Sequence, residues 1–243
     1  MINYNDISSV YDHVRKADLY LIDRFLSEVH FTEATYVLEI GCGTGNYANL
    51  LQKTTHAQVY GVDPSVGMLS RAQQKNPQII FAQSDAEHLP FEDETFDLIY
   101  MTDVIHHVPH IDRMFAEICR VLGRDGKVCI VTQSHRQIDN RPITRFFPST
   151  AIVDRARYPD TQRIVEAAAH NHLLLLRAEV TREGEAVILD HGFLELVRAK
   201  GYSMLHLIPP EEYQAGLRQL EDQLHRGDIS SRHAGETLIW LCR

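Results

Sequence analysis

The stretch Val37-Leu38-Glu39-Ile40-Gly41-Cys42-Gly43-Thr44-Gly45-Asn46 decides the fold. A short apolar run over residues 36–40 ends at three glycines in alternate positions, and residues 46–52 then read as the start of a helix. A buried strand that passes at once into a helix needs glycine at the junction, because the backbone must turn tightly and a ligand must approach it closely. Glu39 sets a carboxylate just before the turn, suited to an ammonium group or a ribose hydroxyl.

Outward from this junction, strands and helices alternate. Residues 58–62 read as a strand, 65–74 as a helix after Pro64, 79–82 and 96–101 as strands, 111–122 as an amphipathic helix and 127–132 as a strand. This order implies a mostly parallel sheet covered by helices on both faces. Residues 6–29 read as helical, with Leu19, Ile22, Phe25 and Leu26 at helical spacing. Beyond Gln133 the pattern changes. Residues 135–158 are rich in arginine and broken by Pro142 and Pro148, with Pro159 following. A helix at 163–169, a buried strand at 173–180, helices at 190–200 and 210–226 and a last strand at 237–242 follow.

Two more carboxylates stand at strand ends. Asp63 closes the second strand 22 residues after Gly41, where a carboxylate can hold ribose hydroxyls. Asp85 lies in an acidic loop, Gln83-Ser84-Asp85-Ala86-Glu87-His88, after the third strand. A dinucleotide site is the rival reading, but its fingerprint is G-x-G-x-x-G, and here the last of those positions is Asn46.

Bulk properties narrow the class of partner. The 243 residues carry a formal charge of -9, which leaves no excess of basic charge to neutralise phosphates, so no nucleic-acid partner is expected. No apolar run approaches a membrane span, and the first residues lack the pattern of a secretory signal. Cys42, Cys119, Cys129 and Cys242 form no CxxC pair, which fits reduced thiols in a cytoplasm.

The strings VLEIGCGTGNYANLL (37–51), YGVDPSVGML (60–69), FAQSDAEHLPFEDETFDLIYMTDVIHHV (81–108) and RVLGRDGKVCIV (120–131) resemble the successive motifs of class I S-adenosylmethionine-dependent methyltransferases, in the ubiquinone-biosynthesis-like and small-molecule group. The resemblance covers residues 37–132. It implies a Rossmann-like α/β fold with a seven-stranded, mostly parallel sheet, an antiparallel last strand beside the fifth, and a helical cap. Residues 1–134 would hold the N-terminal helices and the cofactor-binding core. Residues 135–243 would hold the remaining strands of the same sheet with inserted cap segments, one domain overall. By the same resemblance S-adenosyl-L-methionine is the cofactor. Gly41, Gly43 and Gly45 would pass under its methionine part, and Glu39, just before the turn, and Cys42, between the glycines, would also belong to the cofactor site. Asp63 would bind the ribose with Pro64 beside it, Met68 would lie against the adenine, Asp85 and the backbone of Ala86 would read the adenine edge, and Thr102 would lie near the sulfonium. One departure is Gly123-Arg124-Asp125-Gly126, where many relatives have a Pro-Gly-Gly turn.

Two further residues are candidates by resemblance. In similar enzymes a tyrosine matching Tyr11 closes over the cofactor, and an arginine matching Arg15 meets its carboxylate; the alternative is a packing tyrosine and a solvated arginine. The DVIHHV string resembles the segment of phosphoethanolamine methyltransferases in which the histidine matching His107 works with that tyrosine. An imidazole there can take a proton from an acceptor near neutral pH; the alternative is a structural histidine, and His106 is the weaker candidate. Asp103, His106, His107 and His110 would share one face of a helix, but Pro109 spoils such a helix, and no metal site is expected.

Residues 135–163 hold six arginines against three aspartates. Guanidinium forks suit carboxylates and phosphates, which allows an anionic acceptor; a solvated cap face is the plainer reading. The cap is expected to line the acceptor pocket, with charge removal at Arg141 or Arg145 raising the acceptor KM. The resulting expectation is methyl transfer to oxygen, nitrogen or carbon of a small molecule. Intramolecular cyclisation on the same fold and a macromolecular acceptor are the alternatives.

Overall fold

The computed structural model describes residues 17–243, so Tyr11 and Arg15 lie outside the described residues. The elements in order are α1 Leu19–Glu28, β1 Tyr36–Ile40, α2 Asn46–Thr55, β2 Gln58–Asp63, α3 Val66–Lys75, β3 Ile80–Gln83, β4 Phe96–Thr102, α4 Ile111–Val121, β5 Leu122–Thr132, α5 His135–Asp139, α6 Ser149–Arg157, α7 Thr161–His170, β6 Leu174–Thr181, β7 Ala186–Leu189, α8 His191–Arg198, α9 Pro210–Leu224, β8 Ile229–Arg232 and β9 Glu236–Cys242. Single turns of 3-10 helix cover Ile105–His107, Pro142–Arg145 and Ser203–His206.

Seven strands form one sheet in the order β3-β2-β1-β4-β5-β9-β6. The first five are parallel, with Ile40 beside Val62, Glu39 beside Tyr100, Asp63 beside Gln83 and Thr102 beside Val131. The antiparallel last strand β9 lies beside β5, as the resemblance implies. Side chains alternate between two apolar layers. Leu38, Ile40, Ile99, Met101, Val128, Ile130, Ile239 and Leu241 meet α4 and α7 on one face. Val37, Leu98, Tyr100, Cys129, Val131, Leu238 and Trp240 meet α1 and α2 on the other. Two buried faces explain why these strands read as continuous apolar runs rather than alternating ones. Helix α4 shows the complementary pattern, with Ile111, Met114, Phe115, Ile118 and Val121 buried at helical spacing.

The chain divides into two compact units. One holds residues 3–132, 162–178 and 238–243, and therefore the five parallel strands. The other holds residues 133–161 and 179–237 with a core of its own, in which Ile143, Phe146, Phe147, Leu194, Val197, Leu205, Tyr213 and Leu220 pack together. This second unit is not purely helical. It contains an antiparallel ribbon in which Ala186 pairs with Arg232 and Leu189 with Ile229. The ribbon joins four-residue strands some forty residues apart, a pairing that local periodicity does not signal.

The chain also departs from the expected turn at 123–126. Strand β5 starts at Leu122, directly after α4, and absorbs these residues as a bulge between the pairs Phe96–Leu122 and Leu98–Lys127.

Candidate cofactor site

The site starts from the conformation of the glycine loop. Gly41, Gly43 and Gly45 have φ of 71°, 52° and 72°, the left-handed region that glycine enters without a Cβ penalty. Gly41 is further constrained because a Cβ there would run into the side chain of Val104, just past the end of β4. The amides of Gly41 and Cys42 both donate to the carbonyl of Val62, at 2.8 and 3.0 Å, so the loop is fastened to the end of β2. The Cys42 thiol is buried, and burial raises its pKa, which keeps it protonated and unreactive.

Asp63 completes this junction. Its Oδ2 accepts from the amide of Gly43 at 2.9 Å and its Oδ1 from the amide of Ser65 at 2.8 Å. Burial raises the pKa of the Asp63 carboxyl, while the two amides oppose that rise. Each oxygen has lone-pair capacity beyond one amide, so the group can still accept from hydroxyl donors. Pro64 is exposed beside it, and its carbonyl accepts from Nε2 of Gln83 at 3.2 Å.

Glu39 stands just before the turn, and its carboxyl is engaged within the chain. It is 3% exposed, and its Oε2 accepts from the amide of Ala48 at 2.8 Å and from the Tyr100 hydroxyl at 3.1 Å. Ala48 is the third residue of α2, whose N-cap, Gly45, has no side chain to offer. Glu39 therefore does from the strand what a capping side chain does locally. Burial raises its pKa to about 8, against the pull of both hydrogen bonds. Lys75, the last residue of α3, braces the loop from the other side. Its ammonium donates to the carbonyl and hydroxyl oxygens of Thr44, at 2.9 and 3.0 Å, and to Oδ1 of Asn46.

The remaining positions follow the strand ends. Met68 is buried on α3, its amide capped by Ser65 Oγ at 3.2 Å. Asp85 is exposed; its Oδ1 accepts from the Glu87 amide and meets Nδ1 of His88, each at 2.9 Å. Ala86 is buried. Thr102 ends β4, and its Oγ1 is buried with no hydrogen-bond partner among the described residues. The hydroxyl of Thr132, at the end of the adjacent β5, is in the same state. Asp103 follows with φ 56°, an uncommon conformation for a non-glycine residue, and functional sites collect such residues. His107 is exposed at the end of the next single turn, and its ring lies 4.0 Å from that of His106, centroid to centroid.

All these strand ends are carboxyl ends of parallel strands, so they share one edge of the sheet. The order reverses between β1 and β4, the switch point where open α/β sheets take ligands. Residues 38–130 match the family model described as a methyltransferase domain. Over 93 residues it is 40% identical to phthiotriol/phenolphthiotriol dimycocerosates methyltransferase 1 of Mycobacterium ulcerans, a match covering 37% of this chain and 34% of that protein. It is 32% identical over 131 residues to demethylmenaquinone methyltransferase of Lactiplantibacillus plantarum, covering 50% of this chain and 55% of that one. The chain thus spans between a third and just over half of the length of these relatives. A crystal structure from Anabaena variabilis, titled for a methyltransferase of an antibiotic biosynthesis pathway, shares the fold with a TM-score of 0.76 at 21% identity, over 95% of this chain and 100% of that one.

Within residues 38–130 the structure brings Gly43, Asp63 and the loop 41–45 into direct contact. Asp85 and His107 stand at neighbouring strand ends without a direct bond to them. Sequence reading missed Tyr100 and Lys75. A tyrosine inside the apolar run at residues 98–101 needs a partner for its hydroxyl, which was a usable signal. Lys75 gave none. A cavity of about 560 Å³ lined by Glu28, His30, Phe31 and Thr55 lies at the far end of α2, about 15 Å of helix from the glycine loop, and is no part of this site.

Proposed function

We propose that this chain is an S-adenosylmethionine-dependent methyltransferase acting on a small-molecule acceptor. The observation that carries the reading is the junction in which Gly43 and the end of β2 are joined through Asp63, with buried threonine hydroxyls at the ends of β4 and β5 that have no hydrogen-bond partner among the described residues. These residues fit the cofactor. Asp63 offers acceptor capacity to ribose hydroxyls, the loop 41–45 offers backbone free of Cβ atoms, and Met68 and Ala86 offer apolar surface for a base. Thr102 offers a hydroxyl near the reacting end. The cofactor supplies a methyl group already activated by its sulfonium charge. The chain's own work is to bind, orient and keep water out.

His107 is proposed to take the proton from an acceptor hydroxyl or amine, with Tyr11 closing over the site and Arg15 meeting the cofactor carboxylate. The relatives named above act, by their names, on phthiotriol or phenolphthiotriol dimycocerosates and on demethylmenaquinone, which supports a small organic acceptor. They match only part of the chain, so their acceptors are not carried over. Four free thiols support a reducing, cytoplasmic setting.

Calorimetry with S-adenosylmethionine tests the cofactor. Gly43→Val should abolish binding, because a branched side chain is strained at φ 52° and disturbs the amide that Asp63 holds. Asp63→Ala should cost about 1.5–3 kcal/mol for lost charge-assisted hydrogen bonds. Ordinary affinity in Gly43→Val, or none in the parent, would end the assignment. S-adenosylhomocysteine with a methylated product supports methyl transfer, whereas methylthioadenosine points to cyclisation.

A further inference from the structure

Strand β6 is the last in the order of the seven-stranded sheet, so it presents an edge. An edge strand carries a row of backbone donors and acceptors, and proteins usually keep such edges short or charged. The opposite edge, β3, has four residues, but β6 has eight. Leu174, Leu175, Leu176 and Val180 of β6 are 62, 46, 48 and 50% exposed. Successive side chains of a strand point to opposite faces, so this apolar surface wraps the edge instead of lying on one face.

The sequence of β6 also complements itself. Around Ala178 stand Arg177 and Glu179, and outside them Leu176 and Val180. In a two-fold antiparallel pair centred on Ala178, Arg177 faces the partner's Glu179 and Leu176 faces the partner's Val180. The two innermost cross-strand contacts then join opposite charges and two apolar side chains, Leu175 faces the partner's Thr181, and the smallest side chain sits on the axis. The guanidinium of Arg177 also meets Glu28 of its own chain at 2.6 Å, which holds it near the strand. Thr181 is buried and bounds the exposed run.

We propose that the chain forms a two-fold homodimer by antiparallel pairing of β6 with β6 of a second copy, in the register centred on Ala178. The pairing covers four exposed apolar side chains and satisfies the edge of both sheets. It stands independently of the methyltransferase reading, because it uses none of the residues of the cofactor site.

Light scattering after gel filtration of the full chain tests it, alongside cysteine cross-linking. The parent should run at twice the chain mass. Leu176→Lys should run as a monomer with an unchanged far-ultraviolet circular dichroism spectrum, because the side chain is half-exposed and outside the core. Under mild oxidation Ala178→Cys should give a disulfide-linked dimer, since facing residues of an antiparallel pair lie within disulfide reach. The parent, treated in parallel, reports any background from its own thiols. A parent that stays monomeric at about 100 μM overturns the proposal. So does a dimer that survives Leu176→Lys, which would place the interface elsewhere. Cross-linking through Leu175→Cys but not through Ala178→Cys would overturn the register.

Discussion

Glu39 sets a pH dependence in the core. The carboxyl loses its proton near 4.5 in the unfolded chain and near 8 in the folded one, because burial disfavours its charge. Between those values the folded state holds a proton that the unfolded state has lost. Stability contributed by Glu39 is therefore fully present below about 4.5 and falls as pH rises toward 8. Glu39→Gln keeps an oxygen for the Ala48 amide and has no charge to bury. Urea denaturation at pH 5, 6.5 and 8 should show the variant gaining on the parent with each step, and parallel curves would count against a buried, titrating Glu39. His107 makes a kinetic prediction. His107→Ala should lower kcat about a hundredfold, the usual size of a general-base effect, with cofactor affinity unchanged. Normal turnover across the pH range would leave His107 as a structural histidine. At this scale the sequence showed which carboxylates stand at strand ends, since a strand end is a local pattern. It did not show that Glu39 turns inward to cap α2, because that depends on the Ala48 amide and the Tyr100 hydroxyl meeting it in space.

Among the elements of the second unit, α6 carries a buried ion cluster. Asp154 is 1% exposed and is shared by Arg141 and Arg157, while Arg141 also donates from Nε to Gln133 Oε1 at 2.6 Å. Arg136 and Arg155 pair with Glu183 and Asp139, and Arg163, in the first unit, pairs with Asp112. Arg145 is exposed over the ring of Phe146, 5.5 Å from its centroid, and makes no ion pair among the described residues. The two candidates for an anionic acceptor thus separate. Arg141→Gln should act on stability, by about 3 kcal/mol for a broken buried pair. Arg145→Gln should leave the melting temperature unchanged and raise the KM of an anionic acceptor. Thermal melts and acceptor kinetics on both variants check this; equal melting temperatures would show that the Arg141 pair is not structural. The count of arginines was legible in the sequence, but their engagement was not. Asp154 sits in a helix whose exposed Ile152 spoils any simple amphipathic pattern, so nothing local marked it as buried.

For the whole molecule, the parallel half of the sheet was legible because each strand–helix unit repeats one local pattern with a glycine or proline at its junction. The two-stranded ribbon and the bulge at 123–126 were not, since both are set by partners distant in the chain. The position of β9 has a consequence for biosynthesis. It follows every other element in the chain yet lies between β5 and β6, with Leu238, Ile239, Trp240 and Leu241 fully buried. On the ribosome, β6 emerges long before the strand that separates it from β5. Until Cys242 is clear of the exit tunnel, both long edges of β6 and the inner edge of β5 stay open, and apolar strands without partners are the species that aggregate. The nascent chain therefore depends on its last-made strand to seal the sheet. A stop codon placed before Glu236 should give a product that is made but collects in the insoluble fraction, whereas one that stays soluble and binds the cofactor would show that the first five strands close without it.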